Sequence, residues 1–564
     1  MSTAAKGRLA AIALAVALAM TAQQAEAAVA AAGQTADPAS PPVTERQALA
    51  AAGADPKVIA QRQKHPDLKP TASIVDGNWQ VDYFTGKDDV VQVVVDDVTG
   101  QVRESWSGYQ IAWKMARGYP GAFGHKLNAP YVWLPLCAIF LLGLVDWRRP
   151  WRIANLDLLV LLSFGASQFF FNRADIGLSV PLQYPPLIYL FARMLWVGFR
   201  GRGDGLRPVW PTAWLVIAAL FLLGFRGGLN VADSGVIDVG YAGVVGADRI
   251  VDGDPVYGEG EFPDDVGSGD TYGPVNYYAY VPFEQALPWS GTWDDLPAAH
   301  AAAIFFDLGT FVLLLFLGRR LRPGEEGRRL GAVLGFAWAA FPYAAFVLES
   351  NANDSLVAML LVATMLALAR PALRGAGLAL TGLTKFSPFI LAPLFATYNP
   401  KGSAVMRFAA GFVIAGVIVM VQAIADPGLS TFWHRTIASQ IDRDSPFSVW
   451  GQVGGLEPLR IATIAALGLL AAFMAFRPRE KSPAQLAALA AALLIGTQLI
   501  AQHWFYLYLV WFAPLVFTAL GSLSPVPAPA PALSTEQGRW LPRQPEPPSP
   551  IHPPQPSRSE PASA

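Results

Sequence analysis

Asp238 stands in SGVIDVGYAGVVGADRIVDGDPVYG (234–258), soon after the hydrocarbon run WLVIAALFLLGF. The stretch around it, VIDVGYAGVVGADRIV, has an apolar pattern that could form a helix lying along a membrane interface. A carboxylate held there is able to act as a general base on a hydroxyl, provided its geometry suits. The other acids between Asp233 and Asp295 face a single base, Arg249, and the middle of the loop, DGDPVYGEGEFPDDVGSGD, is rich in turns. Most of them read as a solvated face. Asp252 and Asp254 begin an EF-hand spacing that a proline and Val256 break. Asp233 and Asp248 are the fallback acids.

Cations that could meet an anion lie elsewhere. FWHRTIASQIDRDSPFSVWGQ (432–452) gathers His434, Arg435 and Arg443 among aromatic residues. Guanidinium groups grip phosphate and aromatics lie against sugar or lipid, although an aromatic belt with loop charges fits equally. His503, in QHWFYLYLVWFAP (502–514), could contact phosphate or merely anchor a span end. FPYAAFVLESNANDSL (341–356) places Glu349, Asn351, Asn353 and Asp354 at a tight turn, where Asn351 is expected to cap the next helix and Asp354 is a further fallback acid. Lys385 sits in apolar sequence. A charge there is costly and so marks function, unless the chain snorkels to the cytoplasmic surface.

These residues need a scaffold, and the composition says which kind. Of 564 residues 53% are hydrophobic and 15% charged, against about 25% charged in soluble domains. Apolar blocks long enough for a core of roughly 30 Å recur at 129–146, 155–171, 180–199, 209–225, 298–318, 330–348, 353–370, 404–424, 458–476, 483–501 and 504–521. The expected fold class is an all-α polytopic membrane protein of about eleven spans. The net charge of −1 carries little information, because the placement of charge matters more. A lone cysteine, Cys137, excludes an intrachain disulfide framework and any multi-cysteine metal site.

Basic loops at 146–152, 200–207, 318–329, 369–374 and 477–481 belong on the cytoplasmic side. That puts 225–297 and 425–457 outside only if 374–398 does not change sides. LRGAGLALTGLTKFSPFILAPLFA, with Pro388 and Pro393, is therefore read as a re-entrant or broken helix pair with both ends cytoplasmic. Residues 1–27 combine Lys6, Arg8, a short apolar stretch and Ala25-Glu26-Ala27, a signal peptide or an N-terminal anchor. The polar segment 38–118 is expected to be a small extracytoplasmic α+β domain, with Thr44 capping a helix and a β-hairpin turning at Asp97–Gly100. Residues 129–208 add helices before the main block, 209–521, and the Pro-rich segment 522–564 is expected to be a disordered cytoplasmic tail. There are no Walker loops, zinc spacings or serine elbows, and nothing points to nucleic acid.

Two family likenesses follow from these motifs. The order of helix, then strands ending in D-x-x-TGQV, resembles a PepSY-like module. IDVGYAGVVGADRIVDGDPVYG, YGPVNYYAYVPFE, FPYAAFVLESNAND, RGAGLALTGLTKFSPFILAPLFA, RDSPFSVWG and HWFYLYLVWFAP, taken in order over about 209–521, resemble the GT-C superfamily of membrane glycosyltransferases. Within it the sequence is most similar to the mannosyltransferase-like, polyprenyl-phosphate-dependent enzymes of glycosyltransferase family 87. The resemblance implies a multi-pass enzyme of the plasma (inner) membrane that moves a hexose from a polyprenyl-phosphate sugar to an extracytoplasmic glycolipid or glycan, with inversion. It implies that Asp238 is the general base and that Lys385, His434, Arg435, Arg443 and His503 contact donor phosphate or sugar. It leaves open a divalent metal and protein partners. The sequence departs from the pattern at its N-terminus: in the family the acidic loop follows the first span, whereas here three spans and a secreted module come before the corresponding one. A multi-span transporter of a lipid-linked or polar substrate, or a non-catalytic membrane sensor, are the readings from other classes.

Overall fold

The structure is a computed structural model that describes residues 43–523, apart from 76, 122, 264–267, 293–295 and 442–444. The signal segment, the first residues of the N-terminal module, Arg443 and nearly all of the Pro-rich tail lie outside the described residues.

Two short helices, α1 (Glu45–Gly53) and α2 (Pro56–Lys64), precede strands β1 (Lys69–Val75), β2 (Asn78–Thr85), β3 (Asp88–Val95) and β4 (Val102–Ser107). The expected hairpin is thus part of a four-stranded antiparallel meander, order β1-β2-β3-β4. β1 (KPTASIV) escapes notice in the sequence because its alternating face, Pro70, Ala72 and Ile74, is built mostly of weak strand formers, and it lies at the sheet edge with nearly all its residues exposed. Val81 and Tyr83 of β2 and Val91, Val93 and Val95 of β3 point to one side and bury against Ala48, Ala52 and Val58. Thr44 caps α1 as expected, its N–H donating to Gln47 Oε1 (2.9 Å). The D-x-x-TG turn also has a physical cause. Asp96 accepts from the N–H groups of Thr99 (2.6 Å) and Val98 (3.0 Å), and Gly100 supplies φ +68°. Those bonds, Thr99's first, hold the Asp96 carboxyl down at about 2.

Every apolar block forms a helix. Among the described residues six are long and apolar enough to cross a membrane: α4 (Ile153–Phe171), α6 (Thr212–Asp233), α9 (Pro297–Leu321), α14 (Ala404–Ala425), α15 (Glu457–Phe476) and α16 (Pro483–Ile500). α10 (Gly324–Ala340) and α11 (Pro342–Glu349) make a seventh if their 55° bend is bridged. The other expected spans are helical but differ from a simple crossing. α3 (Pro130–Leu144), α12 (Asp354–Leu366) and α17 (Leu509–Ser522) have 15, 13 and 14 residues, at 1.5 Å each well short of about 30 Å. α5 (Ile176–Arg200) has the length, yet its buried side carries Gln183 and Arg193. These helices are consistent with a multi-pass membrane protein. α14 makes the case best: Val413, Ile414, Val417, Ile418 and Val421 are all exposed, a face that water would not tolerate.

Two buried ion pairs stand inside the bundle. Arg193 holds Asp157, which also accepts from the Tyr189 hydroxyl (2.8 Å), and Arg226 holds Asp307, which accepts from the Trp338 indole (2.9 Å). Each ion would be costly alone. The helices over 129–208 share one apolar core with those that follow; Phe140, for example, packs on Phe341 and Phe517.

The segment 374–398 doubles back. α13 (Pro371–Gly382) rises, the chain breaks at Thr384–Phe386, and short helical turns over Ser387–Ala396 return it. At the open end the Arg374 guanidinium lies 5.4 Å from the Tyr398 ring centroid, so the two ends meet. At the closed end the N–H groups of Gly273 and Val275 donate to the carbonyls of Thr384 (3.3 Å) and Leu383 (3.1 Å). A side chain at 273 would collide with the Leu383 carbonyl, which is why glycine stands there. With the hairpin returning, reporter fusions at residues 370 and 401, on either side of it, should report the same side of the membrane. Signals from opposite sides would defeat the hairpin reading.

Candidate functional site

α7 (Asp238–Asp252) and α8 (Pro274–Ala286) pack side by side, with Gly243 and Gly246 admitting the rings of Tyr280 and Tyr277. The three-residue spacing puts both glycines on one helical face. Asp238 is the first residue of α7, exposed, with its Oδ1 accepting from the Val239 N–H (2.9 Å). A negative charge at a helix N-terminus is electrostatically favoured.

What aims this residue is a clamp from the turn after α11. Asn351, in a left-handed conformation at φ +49°, donates to Ser234 Oγ (3.0 Å) and the Gly235 carbonyl (3.0 Å). Ser350 accepts from the Ile237 N–H (3.3 Å). Asn351 is therefore not the cap of the next helix. Asn353 occupies that position, and Asn351 instead fixes the strand-like approach to Asp238. A second brace comes from the N-terminal extension, where Lys126 pairs with Asp233 (3.0 Å).

Asp238 lines a cavity of about 520 Å³ together with Lys385, Arg460 and His503. These residues come from four separate segments: the start of α7, the tip of the hairpin, the first turn of α15, and the loop before α17. Lys385 Nζ donates to Asp354 Oδ1 (2.8 Å), which also accepts from the Trp511 indole (2.7 Å). The ammonium lies 5.4–5.6 Å from the ring centroids of Trp511, Tyr508 and Tyr272, an aromatic cradle suited to a cation. His503 Nδ1 is 2.9 Å from Ser445 Oγ. Burial, and after it the Asp238 charge, push the Tyr272 phenol well above its usual range. Tyr272 thus stays a neutral group on the cavity wall.

Of the residues singled out from the sequence, the structure brings together Asp238, Lys385 and His503, with Asp354 behind Lys385. It separates others. Arg435 turns onto Asp270, a fully buried carboxylate, in a two-pronged pair (2.8 Å for Nη2). His434 is exposed and is not on the cavity wall, which Thr436, Ile437 and Gln440 of the same segment do line. Asp233 is engaged with Lys126. Asp248 lies two turns beyond the cavity on α7, raised above the usual carboxylate range by partial burial and then by Glu284. Arg460 went unnoticed because EPLR reads as an ordinary span start. Met115 and Phe123 also line the cavity, from the linker after the N-terminal domain. No sequence pattern announces that. Among the described residues no three His, Cys, Asp or Glu side chains gather as a metal site.

No protein-family model matches this chain, and no curated protein matches it in sequence.

Proposed function

We propose that the chain is an integral membrane glycosyltransferase that uses a polyprenyl-phosphate sugar on the extracytoplasmic face of the plasma membrane. The observation that carries this reading is the meeting of one exposed carboxylate with three potential cations in a single cavity. Asp238 takes the proton from the acceptor hydroxyl as its oxygen bonds to the anomeric carbon. The bond from that carbon to the phosphate oxygen breaks, and the electron pair leaves with the polyprenyl phosphate. Lys385 and Arg460, with His503, stabilise that departing charge, which needs cations more than a proton. Ile437, Ile464 and Leu507 on the wall offer apolar contact to the isoprenyl chain. The resemblance supplies the hexose, mannose-like, and the inverting course.

The test is direct. Full-length protein in proteoliposomes, given polyprenyl-phosphate hexoses and a membrane glycolipid extract, is expected to release polyprenyl phosphate and lengthen an acceptor glycan. Failure with every such donor would overturn the reading. Transport is the second reading, favoured by one observation: a cavity opens at each end of α13. It predicts movement of substrate across the bilayer with no covalent change.

A further inference from the structure

The second of those cavities, about 440 Å³, lies at the end of α13 away from Lys385, among the basic loops. Pro371 and Arg374 of α13 line it, whereas Thr384 and Lys385, just beyond the other end of that helix, line the Asp238 cavity. Twelve residues of helix separate the two by about 18 Å.

Its electrostatics are one-sided. Arg320, Arg374, Lys401 and Arg407 line it, and no carboxylate is among its described lining residues. Three helices also begin on its wall, since Pro371, Ala404 and Pro483 are the first residues of α13, α14 and α16. Their positive ends add to the same sign of potential. α12 and α9 end there as well, but the carbonyl of Leu368 is taken up by Arg374 Nη1 (2.6 Å), and Arg319 and Arg320 stand in the last turn of α9.

Arg374 is the key group. Its side chain is only 2% exposed, and its Nε and Nη2 have no hydrogen-bond partner among the described residues. A buried guanidinium with two idle donors is costly unless something anionic meets it. Its guanidinium carbon lies 5.4 Å from the Tyr398 ring centroid and 5.8 Å from that of Phe408, so two aromatic rings flank the fork. Planar and two-pronged, it matches the oxygens of a phosphate.

We propose that this cavity is a binding site for a phosphate-bearing anion, either the headgroup of an anionic phospholipid or a soluble phosphate. Arg374 engages the phosphate at the bottom of the site, while Arg320, Lys401 and Arg407 surround its mouth. α14, with its lipid-facing side, forms one wall, so a headgroup can enter from the bilayer surface. The site does not depend on the reaction assigned to the opposite cavity.

The experiment uses the full chain in phosphatidylcholine nanodiscs, following the thermal unfolding midpoint as phosphatidylglycerol replaces the neutral lipid. In a separate arm inorganic phosphate is added to purely neutral discs. The wild type is expected to show a saturable rise. The triple variant Arg320→Gln, Lys401→Gln, Arg407→Gln changes only exposed side chains and should unfold like wild type in neutral discs. Its half-saturating concentration should rise roughly 100-fold. Arg374→Gln should abolish the rise if it folds. A rise with phosphatidylglycerol supports a lipid source, and a rise with inorganic phosphate alone supports a soluble one. No rise in either arm, or a triple variant that responds as wild type does, overturns the proposal.

Discussion

Asp238→Asn is expected to lower sugar transfer by about 100- to 10,000-fold while leaving the protein folded. The amide keeps an oxygen that can accept from the Val239 N–H, but it cannot take a proton from an acceptor hydroxyl. Because Asp238 is exposed, the change should shift stability by no more than about 0.5 kcal/mol. Initial rates from a polyprenyl-phosphate sugar, measured beside thermal unfolding, check both halves. Asp248→Asn is the control, since Asp248 lies outside the cavity, and it should retain near wild-type transfer. If Asp238→Asn transfers normally, or Asp248→Asn is the variant that fails, the general base has been misassigned.

Lys385→Met should be the most damaging change in the hairpin, for two separable reasons. It removes a cation from the cavity, and it strands Asp354. That carboxylate is fully buried and has one oxygen shared between Lys385 and Trp511 and another without a partner among the described residues. Breaking one side of such a pair costs about 3–5 kcal/mol. Adding Asp354→Asn removes the stranded charge and keeps an acceptor for Trp511, so the double variant should recover most of the lost stability. Transfer should stay low in both proteins. Full stability in Lys385→Met would show that Asp354 does not depend on it. Recovery of transfer in the double variant would show that Lys385 only holds the hairpin tip in place.

The two predictions draw on the sequence to different degrees. Asp238 was legible because its surroundings are local: an apolar run, then a helix-patterned stretch with one acid at its start. Lys385 was legible because a charge in apolar sequence stands out. The partner that makes Lys385 consequential was only a fallback acid, one of four polar residues at a turn, and its separation of 31 residues from the lysine left no pattern to read. Arg435 was read as a phosphate ligand from its company in FWHRTIASQIDR. Asp270, which occupies it, lies 165 residues earlier in a stretch that looked like solvated loop. β1 was missed for a different reason, since its alternation rests on Pro70 and Ala72, weak strand formers, at an exposed edge.

The sequence by itself determined what depends on neighbours along the chain. Hydrophobic length set where helices form, Thr44 set the start of the first helix, the D-x-x-TG turn joined β3 to β4, and the prolines of 374–398 broke that segment into a hairpin. Tertiary structure alone decided which charges meet. It drew Met115 and Phe123 from the N-terminal linker, Arg460 from a span end and His503 from a late loop onto one cavity with Asp238. It also buried Arg374 among three helix starts, where a basic loop had seemed merely to mark orientation. The physical reason is range. Helix formation and turns are settled within a few residues, whereas the cost of burying a charge is settled by whatever distant side chain or ligand arrives to meet it.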